Sequence, residues 1–311
     1  MLRSPWSAYE PPTSRARQIA RKTWRERVSF GGVAFELLSP EPVAHDLIGA
    51  DQRFWQQGAD PRVIADVVCA VHVDHGHDFG ERGNAIAWQT DPANETTRVR
   101  ARSLEVELSK VGERRYAAAA RIAPVPEALV GLLRALAGAV THREGGLMLH
   151  AAAVELDGQA VLFVGPSGAG KSTAARQSDG ARCFAFDHVA IVPAEGGLLA
   201  WGLPGGTAAR APLASSVVYP VAAAFRVRKA PDLAAPRVQW LSGVEALFAV
   251  RESVECADLT PGGEDVYLHA VTKLSAQLAT GAIHTVLGQA HGGLLRVALR
   301  QAAARAGARR R

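Results

Sequence analysis

Lysine, cysteine and methionine are scarce in this chain of 311 residues, which has five lysines, three cysteines and two methionines. The cysteines Cys69, Cys183 and Cys256 are far apart and odd in number. This excludes a disulfide-stapled miniature domain and matches no zinc spacing, but it fits reduced thiols. The uncharged segment 211–225 has 15 residues and two prolines. That is too short for a membrane span, and the N-terminus has no secretory pattern, so we expect a cytoplasmic protein without a membrane partner.

Positive charge is concentrated at the two ends of the chain. Residues 1–30 carry a net charge of +5 and residues 296–311 carry +6, whereas the body between them carries −6. A nucleic-acid-binding domain should carry its basic residues on the folded surface, so this distribution argues against a nucleic-acid partner. The basic ends are interpreted either as solvated termini or as arms that recruit an acidic partner.

Changes of sequence pattern divide the chain into four segments. Residues 1–30 are a basic arm, 31–144 a small N-terminal α+β domain, 145–295 a second domain, and 296–311 an Arg-rich tail. Alternating apolar residues predict a mostly antiparallel sheet in the first domain. An Asp157–Gly158 pair between two apolar runs predicts a β-hairpin in the second.

Two helices are predicted from apolar spacing. One begins at Pro126, and a second covers 266–280 and should end at Gly281. The apolar face of the first helix has a helical period and consists of Leu129, Leu132, Leu133, Leu136 and Val140.

The glycine-rich segment GPSGAGKST at 165–173 matches the phosphate-loop pattern G-x-x-x-x-G-K-[ST] at every fixed position. Glycines let backbone N–H groups point at phosphate oxygens, Lys171 can reach the β- and γ-phosphates, and Ser172 can ligate Mg²⁺. An apolar run precedes the loop and a helix of about two turns is expected after it. We therefore predict that ATP and Mg²⁺ bind here. The nucleotide-binding residues would be Gly165, Ser167, Gly168, Ala169, Gly170, Lys171, Ser172 and Thr173.

Two further residues flank the loop in sequence. His150 lies on the hairpin strand upstream of the loop, and Asp187 ends the apolar run 184–186, where a Walker-B-type aspartate belongs. In this order of His150, hairpin, phosphate loop and Asp187–His188, residues 145–290 resemble the catalytic domain of the HPr serine kinase family. More narrowly, they resemble the HPr-kinase-related proteins encoded beside peptide natural-product genes, including lasso-peptide kinases. The N-terminal half does not resemble that of a true HPr kinase/phosphorylase.

The resemblance implies an α/β P-loop kinase domain with a phosphoenolpyruvate-carboxykinase-like core, ATP·Mg²⁺ as cofactor and a serine hydroxyl as acceptor. It implies catalytic roles for His150, Lys171, Asp187 and His188, and it places Ser172 and Asp187 at the metal. His188 departs from the family pattern, because a second aspartate is expected there. A histidine can accept the hydroxyl proton but is a poorer Mg²⁺ ligand than a carboxylate. Three interpretations stay open: His188 is the base, Asp187 does both jobs, or activity is reduced or lost.

Weaker candidates surround these residues. Arg210, Arg226 and Arg228 are candidates for stabilising phosphate charge, although abundant arginines are more often solvated. The segment 201–206 is interpreted either as the border of the acceptor site or as a plain turn. The histidine-rich segment 72–78 matches no metal spacing and is interpreted as a solvated loop.

The sequence thus favours an ATP-dependent serine kinase that acts on a peptide or small protein, for instance a lasso or other ribosomal precursor peptide. Two alternatives remain: a catalytically impaired, nucleotide-binding regulatory protein, and a kinase for a small metabolite. Whether the chain forms a homo-oligomer is left open.

Overall fold

The computed structural model describes residues 24–30, 32–39, 65–74, 87–91, 95–101, 103–203, 217–255, 263–286 and 288–309. Within these ranges the protein is mixed α/β, with two mixed β-sheets and five helices. The expected α/β class is therefore confirmed. No helix in the ranges given is long and apolar enough to cross a membrane.

The N-terminal part forms a seven-stranded sheet. Its strands are β1 Trp24–Phe30, β2 Val33–Ser39, β3 Ala65–Val73, β4 Ala87–Asp91, β5 Thr96–Ala101, β6 Leu104–Gly112 and β7 Arg115–Ile122. They lie in the order β1-β2-β3-β7-β6-β5-β4. The pairs β2–β3 and β3–β7 are parallel and the other four pairs are antiparallel. Buried and exposed residues alternate along β3, as expected for a strand with one face on the core.

Helix α1, Pro126–Arg143, joins this sheet to the second one. Its apolar face is the predicted one, since all five of those residues are at most 1% exposed. The core around α1 contains residues of both sheets, including Met148 and Trp201 from the second. The helix therefore packs against both halves of the chain.

The second sheet contains ten strands. They are β8 Leu147–His150, β9 Ala152–Leu156, β10 Gln159–Val164, β11 Arg182–Ala185, β12 His188–Ala194, β13 Gly197–Gly202, β14 Tyr219–Lys229, β15 Arg237–Trp240, β16 Val254–Glu255 and β17 Thr280–Thr285. Eight of them follow the order β11-β9-β10-β14-β13-β12-β8-β16, while β17 pairs with β14 and β15.

Strands β9 and β10 form the predicted hairpin. Asp157 and Gly158 at its tip have φ angles of 54° and 80°, as the tight turn of a hairpin requires. Strand β10 runs parallel to β14, and β14 runs parallel to β17. Their carboxyl ends, at Val164, Lys229 and Thr285, lie at the same edge of the sheet. Ligands bind at this edge in open α/β sheets.

The remaining helices are α2 Lys171–Arg176, α3 Gly243–Arg251, α4 Gly263–Gln277 and α5 Gly292–Arg309. Helix α4 ends before the predicted boundary, because Gly281 pairs with Phe225 inside the β-sheet. The Arg-rich segment 296–311 lies largely within α5, whose residues Leu295, Ala298 and Leu299 are buried against the sheet. In the N-terminal arm, residues 24–30 form β1 and residues 1–23 lie outside the described ranges.

Gly146 connects α1 to β8 in a space that admits no side chain. A Cβ atom there would lie 2.3 Å from the carbonyl oxygen of Ile191 and 2.6 Å from Cγ1 of Val192. We therefore expect Gly146→Ala to lower the free energy of unfolding by about 1–3 kcal/mol. Gly197→Ala is the control, because no atom lies within 4 Å of a Cβ placed there. Equal stability of the two variants in urea denaturation would refute this prediction.

Candidate functional site

The phosphate loop lies between β10 and α2, at the carboxyl edge of the parallel strands. Gly165, Gly168 and Gly170 have φ angles of 135°, 75° and 99°, which residues with a Cβ rarely adopt. The backbone path therefore depends on the glycines of the pattern. Helix α2 has six residues, in keeping with the predicted short helix.

Lys171 folds back onto its own loop. Its Nζ donates to the carbonyl oxygen of Gly165 at 2.9 Å and to that of Pro166 at 3.0 Å. The residue is only 5% exposed. Burial lowers the pKa of Lys171, and nearby carboxylates, Asp187 foremost, oppose this. Within the described part of the chain, no carboxylate lies within ion-pair distance of Nζ, so the ammonium is held without an anionic partner.

Two serines tie the loop to its surroundings. Ser172 Oγ donates to the carbonyl oxygen of Phe186 at 3.1 Å, which links α2 to the segment that carries Asp187. The backbone N–H of Gly165 donates to Oγ of Ser253 at 2.8 Å. The carbonyl of Ser253 also accepts from the backbone N–H of His150 at 2.6 Å. Ser253, which is 1% exposed, therefore connects the loop to β8.

A cavity of about 730 Å³ opens beside the loop. This volume is in the range of small-molecule and cofactor pockets. The predicted residues His150, Lys171, Ser172 and Asp187 line it, whereas His188 does not. The sequence did not indicate the far wall, which comes from the ends of β14 and β17. The lining residues are His150, Ser167, Gly168, Gly170, Lys171, Ser172, Thr173, Gln177, Phe186, Asp187, Lys229, Ala230, Pro231 and Thr285.

His188 lies behind Asp187 and is only 5% exposed. It begins β12 directly opposite His150 of β8. Its Nε2 lies 3.1 Å from Oδ2 of Asp187, and NH1 of Arg134 on α1 lies 2.8 Å from the same nitrogen. His150 Nδ1 lies 3.4 Å from Oδ1 of Asp187. Both carboxylate oxygens of Asp187 therefore face an imidazole.

The charges of this cluster act on one another. The hydrogen bond with His188 lowers the pKa of Asp187, although burial alone would raise it. Burial alone would lower the pKa of His188, but its bonds to Asp187 and Glu255 outweigh burial and raise it. Arg134 opposes a positive charge on that ring, because its own guanidinium cation lies 2.8 Å from Nε2.

Glu255 also belongs to the cluster of Asp187, His150 and His188, although no sequence motif indicated it. Its Oε1 lies 3.0 Å from Nδ1 of His150, and its Oε2 lies 2.7 Å from Nδ1 of His188. Burial alone would raise the pKa of Glu255, but the two imidazoles lower it to about 2. A second carboxylate is thus present beside Asp187, contributed by β16 and not by position 188.

Oxygen donors suited to Mg²⁺ are present where the sequence predicted them. Ser172 and Asp187 both line the cavity, and the Ser172 hydroxyl bonds to the residue next to Asp187. Nitrogen donors of His150 and His188 and an oxygen of Asp187 also lie within 4.8 Å of one another. Arg134 beside His188 Nε2 opposes a second cation at that nitrogen. The residues present therefore fit Mg²⁺ on the Ser172–Asp187 side.

None of the weaker candidates in the described part of the chain lines the cavity. Arg226 is bonded to Glu252 at 2.6 Å and does not line the cavity. Of the segment 201–206, Trp201 is fully buried in the core shared with α1, and residues 204–206 lie outside the described residues. His72 is exposed on β3. Arg210 and the histidine-rich segment beyond residue 74 lie outside the described residues.

Comparison with protein families gives one match. The model described as "ScmC: SynChlorMet cassette protein ScmC" matches residues 128–253, which is less than half of the chain. The matched segment is similar to that family from α1 through the phosphate loop and Asp187 to Ser253. It stops two residues before Glu255. No curated protein matches the chain.

Ser253 generates the first prediction for the site. Ser253→Ala leaves the buried N–H of Gly165 without its acceptor, which should cost about 1–3 kcal/mol of unfolding free energy. Ser242→Ala is the control, because this exposed residue makes no side-chain bond to the helix it precedes. Urea denaturation of both variants measures the difference. The role assigned to Ser253 is wrong if both variants are as stable as the wild type.

The low pKa of Glu255 generates a pH prediction. The pKa of Glu255 falls from 4.5 in the unfolded chain to about 2 in the folded protein, so its carboxylate contributes its full stabilisation above about pH 4.5. This stabilisation is lost as the pH falls towards 2. Glu255→Gln does not titrate. The stability difference between wild type and Glu255→Gln should therefore shrink from about pH 5 to about pH 3 in urea denaturation. A constant difference over this range would show that Glu255 is not ion-paired.

Proposed function

We propose that this protein is an ATP-dependent kinase that transfers the γ-phosphoryl group of ATP to a serine hydroxyl of a peptide or small protein. The observation that carries the proposal is the buried ammonium of Lys171, held by loop carbonyls at the wall of a nucleotide-sized cavity. A buried cation without an anionic partner is costly, so an anion entering the cavity gains a strong interaction. The β- and γ-phosphates of ATP supply such an anion.

The rest of the site fits phosphoryl transfer. Catalysis of this reaction consists mainly of positioning and charge neutralisation. Ser172 and Asp187 would hold Mg²⁺, which neutralises charge on the phosphate oxygens when bound. Asp187 faces the cavity and His188 lies behind it. Of the three interpretations of the Asp187–His188 pair, this geometry favours Asp187 as the residue that meets both metal and acceptor hydroxyl.

The acceptor class comes from the resemblance to HPr-kinase-related proteins, not from the cavity. That resemblance favours a serine on a peptide, such as a ribosomal precursor, and it favours the phosphoenolpyruvate-carboxykinase-like type for the second sheet. The alternative of a regulatory protein that binds nucleotide without transfer has one observation in its favour. His188 is enclosed by Asp187, Glu255 and Arg134, so it is not available to a substrate.

Lys171→Ala tests nucleotide binding. Loss of the only loop ammonium should weaken Mg²⁺·ATP binding by about 100-fold or more, since a charge-assisted phosphate contact is worth about 3 kcal/mol. Lys110→Ala is the control, because Lys110 lies on β6 near Glu144. Titration calorimetry measures both. Unchanged ATP affinity in Lys171→Ala would remove the basis of the proposal.

The variant Asp187→Asn distinguishes a kinase from a regulatory protein that binds nucleotide without phosphoryl transfer. The amide keeps the size of the side chain but removes the anionic partner of Mg²⁺ and the proton acceptor. Binding of ATP should persist, while phosphoryl turnover should fall by about 100-fold or more. Turnover is followed by release of ³²P from γ-labelled ATP. If wild type binds ATP but turns over no faster than Asp187→Asn, the regulatory alternative holds.

A further inference from the structure

Strand register brings Glu255 to the two histidines of the site. Glu255 lies opposite Met148 in the β16–β8 pair, and Met148 and His150 lie two residues apart on β8. Residues directly opposite one another, and residues two apart on a strand, share a face of the sheet. His188 lies directly opposite His150 in the β8–β12 pair. One carboxylate and two imidazoles therefore share one face of three adjacent strands.

Among the described residues, the polar side-chain contacts of Glu255 are with these two rings. Its two oxygens lie 3.0 Å from His150 Nδ1 and 2.7 Å from His188 Nδ1. In the described part of the chain no arginine or lysine lies within ion-pair distance of Glu255. Glu252, three residues earlier, is instead ion-paired with Arg226 at 2.6 Å. Such a pair is what a carboxylate with a structural role alone would form. Glu255 also does not line the cavity, so it does not meet a substrate directly.

A carboxylate that faces a ring nitrogen sets the tautomer of that ring. Because Nδ1 of His150 is hydrogen-bonded to Oε1 of Glu255, the neutral His150 ring carries its proton there. The ring of His188 is held between two carboxylates, since its Nδ1 lies beside Glu255 and its Nε2 beside Asp187. The Nε2 of His150 is then the nitrogen available to a bound substrate, since His150 lines the cavity.

We infer that Glu255 is a positioning residue of the phosphoryl-transfer site. It fixes the tautomer of His150 and the position of both rings, so that His188 supports Asp187 from behind and His150 presents Nε2 to the cavity. Glu255 thereby supplies the second acidic side chain that position 188 lacks. The inference rests on the proposed kinase activity, but the orientation of the rings can be tested without it.

Ring orientation is tested by NMR of the histidine nitrogens. In wild type labelled with ¹⁵N-histidine, His150, assigned through His150→Asn, should show a protonated Nδ1 and an unprotonated Nε2. Glu255→Ala removes the acceptor, so His150 should lose this signature. Glu252→Ala should leave it unchanged. Identical His150 spectra in wild type and Glu255→Ala would overturn the inference, whatever the activity of the protein.

Kinetics then test the consequence for turnover. Glu255→Gln should lower kcat for ATP turnover by about 10- to 100-fold, the usual loss for a carboxylate behind a site histidine. The KM for ATP should stay within about twofold, because Glu255 does not reach the loop. Glu255→Asp, which keeps the charge, should recover part of kcat.

A full kcat in Glu255→Gln would overturn the inference while leaving the kinase proposal intact. Absence of ATP binding in wild type would instead overturn the kinase proposal, and the NMR result would still decide the place of Glu255.

Discussion

The arrangement of the site depends on one interaction, the pair of hydrogen bonds from Lys171 Nζ to the carbonyl oxygens of Gly165 and Pro166. These bonds close the loop on itself and keep a buried ammonium at the cavity wall. Carbonyl oxygens satisfy the N–H donors of the ammonium but do not neutralise its charge. The loop is therefore closed by its own hydrogen bonds, while the uncompensated charge of the ammonium favours a nearby anion. That combination is what a phosphate site requires, because it is preformed and yet not occupied by a competing carboxylate.

Elements remote in sequence hold this loop in place. The segment 253–255, after α3, bonds to the loop through Ser253 and to both site histidines through Glu255. Helix α1 contributes Arg134 from the wall between the two sheets. The N-terminal sheet is thus coupled to the site through α1, since the same helix buries its apolar face on that sheet. This coupling gives the N-terminal half a physical role in the geometry of Asp187 and His188, although none of its described residues lines the cavity.

Local patterns predicted the parts of the molecule that depend on neighbouring residues. The helix at 126, the Asp157–Gly158 hairpin and the glycine loop all follow from spacing or turn chemistry within about 20 residues. Features decided by distant contacts were missed. Gly281 looked like a helix end but lies in β17, where a Cβ would lie 2.9 Å from the ring of Phe225. Trp201 begins a segment interpreted either as a site border or as a plain turn, and its side chain is buried in the core. Glu255 and Lys229 reach the site through strand pairing and strand ends, which single-sequence patterns do not encode.

The most direct test of this account is a crystal structure with Mg²⁺ and a non-hydrolysable ATP analogue. The account predicts that Lys171 Nζ leaves the two carbonyl oxygens and contacts the β- and γ-phosphates, with Mg²⁺ between Ser172 and Asp187. His188 should stay behind Asp187, bonded to Glu255. A structure in which the nucleotide lies elsewhere, with Lys171 still bonded to Gly165 and Pro166, would contradict the account.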